Sequence, residues 1–174
     1  MPEDYKALLI RKAETGDTYA TGTLFEQYSS EIFPEKYFSI IRYTPRREDI
    51  PNRKCEETKY PDFLFRDKKT KEPFWIECKF RSQLFSGKYV ITPYQNRLEQ
   101  YRECRINTNY KTFFIMGLGN QPYDPEHIYL TDLDNTQYCK MGKKYIEPFE
   151  LETWKRKLGF TSLNEIISFS NKIV

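Results

Sequence analysis

The spacing of apolar residues changes several times along this chain, and each change marks a predicted element. Residues 5–12 read as a short helix ended by a turn at Gly16-Asp17. A second helix is predicted from Thr21 to Tyr28, with Thr21 or Thr23 as its cap and Leu24, Phe25 and Tyr28 on one side. Glu26 then projects from the opposite part of that helix, or towards a site if the helix crosses one. Residues 36–43 alternate well enough for a first core strand. Residues 61–80 predict two strands, 62–65 and 74–80, joined by a charged turn. Residues 81–88 read as a loop, and a helix starts at Thr92 with Pro93 at its first position and runs to Cys104. Tyr94, Leu98, Tyr101 and either Cys104 or Arg105 form its core stripe. Residues 111–118 are a continuous apolar run, as a buried strand gives, closed by residues 119–122. A further strand is predicted over 126–133. Strand, helix, strand, strand from residue 74 onward supports an α/β sheet with the site at its edge. After Lys143-Lys144 come helices over 151–158 and 163–173, the second with Ile166, Ile167, Phe169 and Ile173 as its apolar face.

Composition narrows the class. A chain of 174 residues, 17% aromatic and 30% charged, is most simply one folded domain spanning 1–174. No apolar run is long enough to cross a membrane, and the start has no signal-peptide pattern, so a cytoplasmic protein is expected. The four cysteines are scattered without zinc spacing and read as free thiols. A single histidine, His127, argues against histidine-centred triads and zinc hydrolases. The net charge of +3 says little about nucleic acid. Residues 44–60 mix Arg46, Arg47, Arg53, Lys54 and Lys59 with four acids. They read as a solvated loop whose charges nearly cancel, with arginine contacts to a phosphate backbone as the rival.

The candidate chemistry lies in the 61–80 stretch. Side chains alternate along a strand, so Trp75, Glu77 and Lys79 share one face while Phe74, Ile76, Cys78 and Phe80 line the other. Glu77 and Lys79 then stand about 6–7 Å apart. If the two strands pair, Asp62 comes close to Glu77. Two carboxylates beside an ammonium make a site for a hard divalent cation with a charged group next to its bound water.

Pro61-Asp62, fourteen residues, then Glu77-Cys78-Lys79 resembles the bipartite signature of the PD-(D/E)XK nuclease superfamily, which includes type II restriction enzymes, archaeal Holliday-junction resolvases and repair nucleases. The resemblance covers about residues 20–131 and leaves a C-terminal helical extension over about 142–174. It implies an α/β, restriction endonuclease-like fold: a mixed central sheet flanked by helices. It further implies a metal-dependent (endo)deoxyribonuclease. Asp62 and Glu77 would bind Mg²⁺, with the Cys78 carbonyl completing the set, and Mn²⁺ can substitute. Lys79 would position or activate the attacking water. Gly22-Thr23-Leu24-Phe25-Glu26 matches a glutamate-bearing helix of the superfamily, against an ordinary exposed helical glutamate. Gln95, ahead of Asn96 and Arg102, is the first candidate for a polar residue facing the site from the next helix, against a solvent-exposed amide. Arg81, Lys88 and Arg102 are candidate phosphate contacts. DNA is the expected partner, with RNA and a homodimer left open. Two rivals stand beside this reading: an inactive nucleic-acid-binding module of the same fold, and a structural or partner-binding α/β protein in which Glu77 and Lys79 form a surface pair.

Overall fold

A computed structural model of the chain describes residues 3–45 and 59–171. In order, the elements are α1 (Glu3–Glu14), α2 (Thr18–Glu31), β1 (Phe38–Tyr43), β2 (Phe63–Asp67), β3 (Pro73–Arg81), β4 (Lys88–Val90), α3 (Gln95–Thr108), β5 (Lys111–Gln121), β6 (Asp124–Asp132), β7 (Lys140–Gly142), α4 (Lys143–Ile146), α5 (Thr153–Leu158) and α6 (Leu163–Ser170). Five strands form one sheet in the order β1-β2-β3-β5-β6, and β4 pairs with β7 in a separate two-stranded sheet. The only parallel pair of the main sheet, among the described residues, is β3 with β5. A parallel pair needs a crossover, and the segment carrying α3 supplies it. β3 is therefore the middle strand. The edge position expected for the site is corrected: β2 and β1 extend the sheet on one side, β5 and β6 on the other.

Each face of the sheet is covered. Phe113 and Ile115 of β5 join Phe74 and Ile76 of β3 in a cluster that takes in Phe25 of α2 and Ile166 of α6. Phe114 and Met116 point the other way, against Leu98 and Tyr101 of α3 and Tyr89 of β4. Burial on both faces explains why residues 111–118 are apolar without alternation. Gly117 allows α2 to approach closely, because a Cβ there would collide with the Phe25 ring.

Several boundaries differ from the sequence expectation. α2 starts at Thr18, and its cap is Asp17, whose Oδ1 accepts from the Ala20 N–H at 3.0 Å. Thr21 and Thr23 instead donate back to the carbonyls of Asp17 and Tyr19. α3 starts at Gln95 rather than Thr92. Tyr94 is extended (φ −128°, ψ 135°), so Pro93 lies outside the helix and the Tyr94 ring leaves the core, 70% exposed. The stripe is Leu98, Tyr101 and Cys104. β5 continues past residue 118 to Gln121. The β4–β7 sheet was absent from the expectation, because it pairs residues about fifty positions apart. Cys55 and the arginines at 46, 47 and 53 lie outside the described residues, as does Ile173.

Candidate active site

β2 and β3 pair with Phe63 opposite Ile76 and Leu64 opposite Trp75. Extending that register by one residue brings Asp62 opposite Glu77. Asp62 Oδ2 accepts from the Cys78 N–H at 2.7 Å, and the Asp62 N–H donates to Glu77 Oε2 at 3.2 Å. Glu77 is fully buried. Its Oε1 accepts from two donors, Lys79 Nζ and the Tyr101 hydroxyl. Lys79 follows Glu77 by two residues on the same face, which is why the ammonium reaches it. On α3, Arg97 Nε donates to the Tyr101 hydroxyl at 2.9 Å, and the guanidinium carbon lies 4.8 Å from the centre of the Tyr101 ring.

Glu26 enters from α2, on the other face of the sheet. It is buried, and Oε2 accepts from the hydroxyl of Tyr43 on β1. Glu26, Asp62, Glu77, Cys78, Lys79, Arg81 and Arg97 all line one cleft of about 500 Å³. A second cleft of about 420 Å³ shares Lys79, Arg81 and Arg97 with it and extends past Tyr94, Asn96 and Gln100.

Three carboxyl groups, of Glu26, Asp62 and Glu77, share the first cleft with Lys79, Arg81 and Arg97. Burial pushes the Asp62 carboxyl well above the usual carboxylate range; Glu77 and Glu26 push it further, and Lys79 and the Cys78 N–H pull it back. For Lys79, burial favours loss of the proton, yet Glu77, Tyr101 and Asp62 outweigh it and hold the group above the ordinary lysine value, as an ammonium. Burial raises the Tyr101 hydroxyl, and the Glu77 carboxylate adds to the effect, so it donates as a neutral phenol. The Cys78 thiol is raised by burial and by the nearby acids.

A divalent cation would relieve the repulsion that Glu77 and Glu26 exert on Asp62. Among the described residues no group of three or more His, Cys, Asp or Glu is arranged as a ready cage. The donor set that Asp62, Glu77 and the Cys78 carbonyl offer consists of hard oxygens. That set fits Mg²⁺, which takes one or two carboxylates and keeps several of its waters.

Of the remaining sequence candidates, Arg81 lines both clefts, Asn96 lines the second, and the others fall elsewhere. The Gln95 amide is exposed in the first turn of α3 and donates to Glu99 Oε1 at 3.0 Å. It is not among the residues lining either cleft; on the α3 side Arg97 lines both, and Asn96, Gln100 and Tyr101 line the second. Arg81 lines the rim, but its guanidinium donates to the carbonyls of Phe80, Val90 and Ile91 at 2.7–3.2 Å. Lys88 is exposed on β4. Arg102 is engaged by Glu99 and by the Thr136 and Gln137 carbonyls. His127 Nδ1 lies 2.8 Å from Glu150 Oε1, outside the cleft. Tyr101, Arg97 and Tyr43 were missed as site residues. The available signal was Tyr101 itself: a hydroxyl in a buried apolar stripe needs a partner.

A mixed five-stranded sheet with an acid before one strand and Glu-x-Lys on its middle neighbour is the restriction endonuclease-like architecture, as the motif resemblance implied. The structure is similar to that of Hjc, a Holliday junction resolvase from the archaeal hyperthermophile Archaeoglobus fulgidus. The TM-score is 0.52 at 16% sequence identity, covering 80% of this chain and 97% of that one. At that identity the likeness establishes the fold. No family model matches the sequence, and no curated protein does.

Proposed function

We propose that the protein is a metal-dependent nuclease that hydrolyses phosphodiester bonds in DNA. The observation that carries this reading is the meeting of Asp62 and Glu77 across the β2–β3 register, with Lys79 donating to Glu77. The resolvase that shares the fold supports DNA as the substrate class. Asp62, Glu77 and the Cys78 carbonyl would hold Mg²⁺ or Mn²⁺. The bound ion would acidify a water and polarise the phosphate. Lys79 positions or activates the attacking water, and its ammonium offsets the negative charge that grows on the phosphate in the transition state. Tyr101 and Arg97 hold Glu77 in place. Glu26 adds a third carboxylate at the cleft wall. Cutting both strands of a duplex in one encounter takes two such sites, which two copies of the chain would supply.

The test is cleavage of labelled duplex, nicked, branched and single-stranded DNA, and of RNA, by wild type and Lys79→Ala. Mg²⁺ and Mn²⁺ are compared with EDTA. Cutting is expected only with metal, and about 100-fold or more slower in the variant, the usual loss when a transition-state donor is removed. Cutting in EDTA, or an unimpaired Lys79→Ala, would overturn the assignment. Tight binding without cutting would establish the inactive binding module instead.

A further inference from the structure

The two-stranded sheet has two unlike faces. Tyr89 stands opposite Met141, and both point into the cluster beneath α3. Lys88 stands opposite Gly142 and Val90 opposite Lys140, so these four residues share the outer face. Both lysines are exposed. Phe85, 65% exposed, joins that face: it bridges back to Lys88, and Lys140 Nζ lies 5.4 Å from the centre of its ring. Lys143, Lys144 and the exposed Tyr145 follow directly in α4. Lys143 is 3.8 Å from Glu147. Among the described residues, Lys88, Lys140 and Lys144 form no ion pair. The outer face is thus basic, with an aromatic ring inset and no acid paired with Lys88 or Lys140 among the described residues.

This sheet is also fastened to the strand that carries the cleft. The Tyr89 hydroxyl lies within hydrogen-bond distance of the Lys79 and Gly117 carbonyls. Arg81, at the end of β3 and on the cleft rim, donates to the carbonyls of Val90 and Ile91. The Ile91 N–H donates to the Cys139 carbonyl at 2.9 Å. Anything gripped by the outer face is therefore held at a set distance from Glu77 and Lys79.

We infer that the outer face of the β4–β7 sheet is a second DNA contact, in which Lys88 and Lys140 grip the sugar-phosphate backbone of the arm flanking the phosphate to be cut. The inference rests on DNA being the substrate. Polyanion charge complements an unpaired basic face, and an exposed ring beside it offers a stacking surface to a splayed base.

The test is binding of a fluorescein-labelled duplex in EDTA, where no metal-dependent cutting occurs, followed by anisotropy over roughly 50 to 200 mM NaCl. The logarithm of the binding constant falls linearly with that of salt, by about 0.9 per phosphate contact on duplex DNA. The double variant Lys88→Ala/Lys140→Ala is expected to lower that slope by roughly 1.8. The control, Lys68→Ala/Lys69→Ala, lies beyond the other end of β3, about 26 Å along the strand from Arg81. It is expected to leave the slope unchanged. Equal slopes for wild type and the β4–β7 variant would overturn the inference, as would an equal fall in the control, which reports net charge alone. Cleavage assayed in parallel with Mg²⁺ separates the two readings. Metal-dependent cutting with an unchanged slope leaves the nuclease and removes the second contact. A shallower slope without cutting does the reverse, and no binding by wild type overturns both.

Discussion

Glu77 has both carboxylate oxygens committed: one to the Asp62 N–H, the other to Lys79 and Tyr101. A carboxylate so held cannot swing, and a positioned ligand is what an ion with strict geometry requires. In the proposed nuclease Tyr101 would act through Glu77, as a positioning residue, and the chemistry could be separated from the fold at that hydroxyl. Tyr101→Phe keeps the ring packed on Phe114 and removes only the oxygen. Leaving the buried Glu77 oxygen one donor short is expected to cost about 1–3 kcal/mol of stability. Activity at subsaturating Mg²⁺ is expected to fall about 10- to 100-fold, the usual cost of losing a group behind a metal ligand. A Mg²⁺ titration of cleavage checks this. A half-saturation point identical to that of wild type would show that Tyr101 is only part of the core.

At the scale of elements, one buried side chain ties the start of α6 to the β2–β3 turn. Asp67, at the end of β2, is buried. Its Oδ1 accepts from the N–H groups of Lys69 and Thr70 and closes the β2–β3 turn. Its Oδ2 accepts from the Leu163 N–H at 2.7 Å, at the first turn of α6. Burial alone would raise this carboxyl, but three backbone donors and Lys69 outweigh it and lower it below its ordinary value. A lowered folded-state value means that the carboxylate stabilises the fold above the unfolded value of about 3.9. That contribution is lost as pH falls through the folded value. Asp67→Asn is expected to cost about 1.5–3 kcal/mol at neutral pH, the range for hydrogen bonds to a charged group. The gap between variant and wild type should narrow below about pH 4. Urea unfolding of both proteins across that range measures it, and parallel curves at every pH would rule out this role.

For the whole molecule, the fold brings Glu26, Asp62 and Glu77 to one cleft from α2, the start of β2 and β3, where Lys79, Arg81 and Arg97 also line it. Burial first, and then repulsion from Glu77 and Glu26, raises Asp62, so a bound divalent cation should stabilise the folded state as a whole. Ligand at roughly a hundred times its Kd adds about 2.7 kcal/mol. In a chain of this size that shifts the melting temperature by roughly 5–10 °C. Thermal unfolding with Mg²⁺ or Ca²⁺, against NaCl of matched ionic strength, is expected to show the rise in wild type and its loss in Asp62→Asn. An equal rise in both would place the ion elsewhere and would count against metal at this cleft, whatever the cleavage assay reads.

Local periodicity carried much of this. The alternation of β3 put Glu77 and Lys79 on one face, and the short charged turn after β2 set the register that brings Asp62 opposite Glu77. Both follow from the period of an extended chain and from turn length, which neighbouring residues determine. The helical stripe of α2 likewise located Leu24 and Phe25 in the core. What neighbours cannot determine are contacts between distant segments. Glu26 reaches the cleft because Gly117, some ninety residues later, leaves room for Phe25. Tyr101 reads as one more apolar position of α3 until the crossover lays that helix over Glu77. The β4–β7 pair and the Asp67 anchor of α6 join segments about fifty and 96 residues apart. Chain closure over such lengths leaves no periodic trace in the sequence. Two of those contacts bring Glu26 and Tyr101 to the motif residues, the third builds the basic face beside them, and the fourth anchors α6.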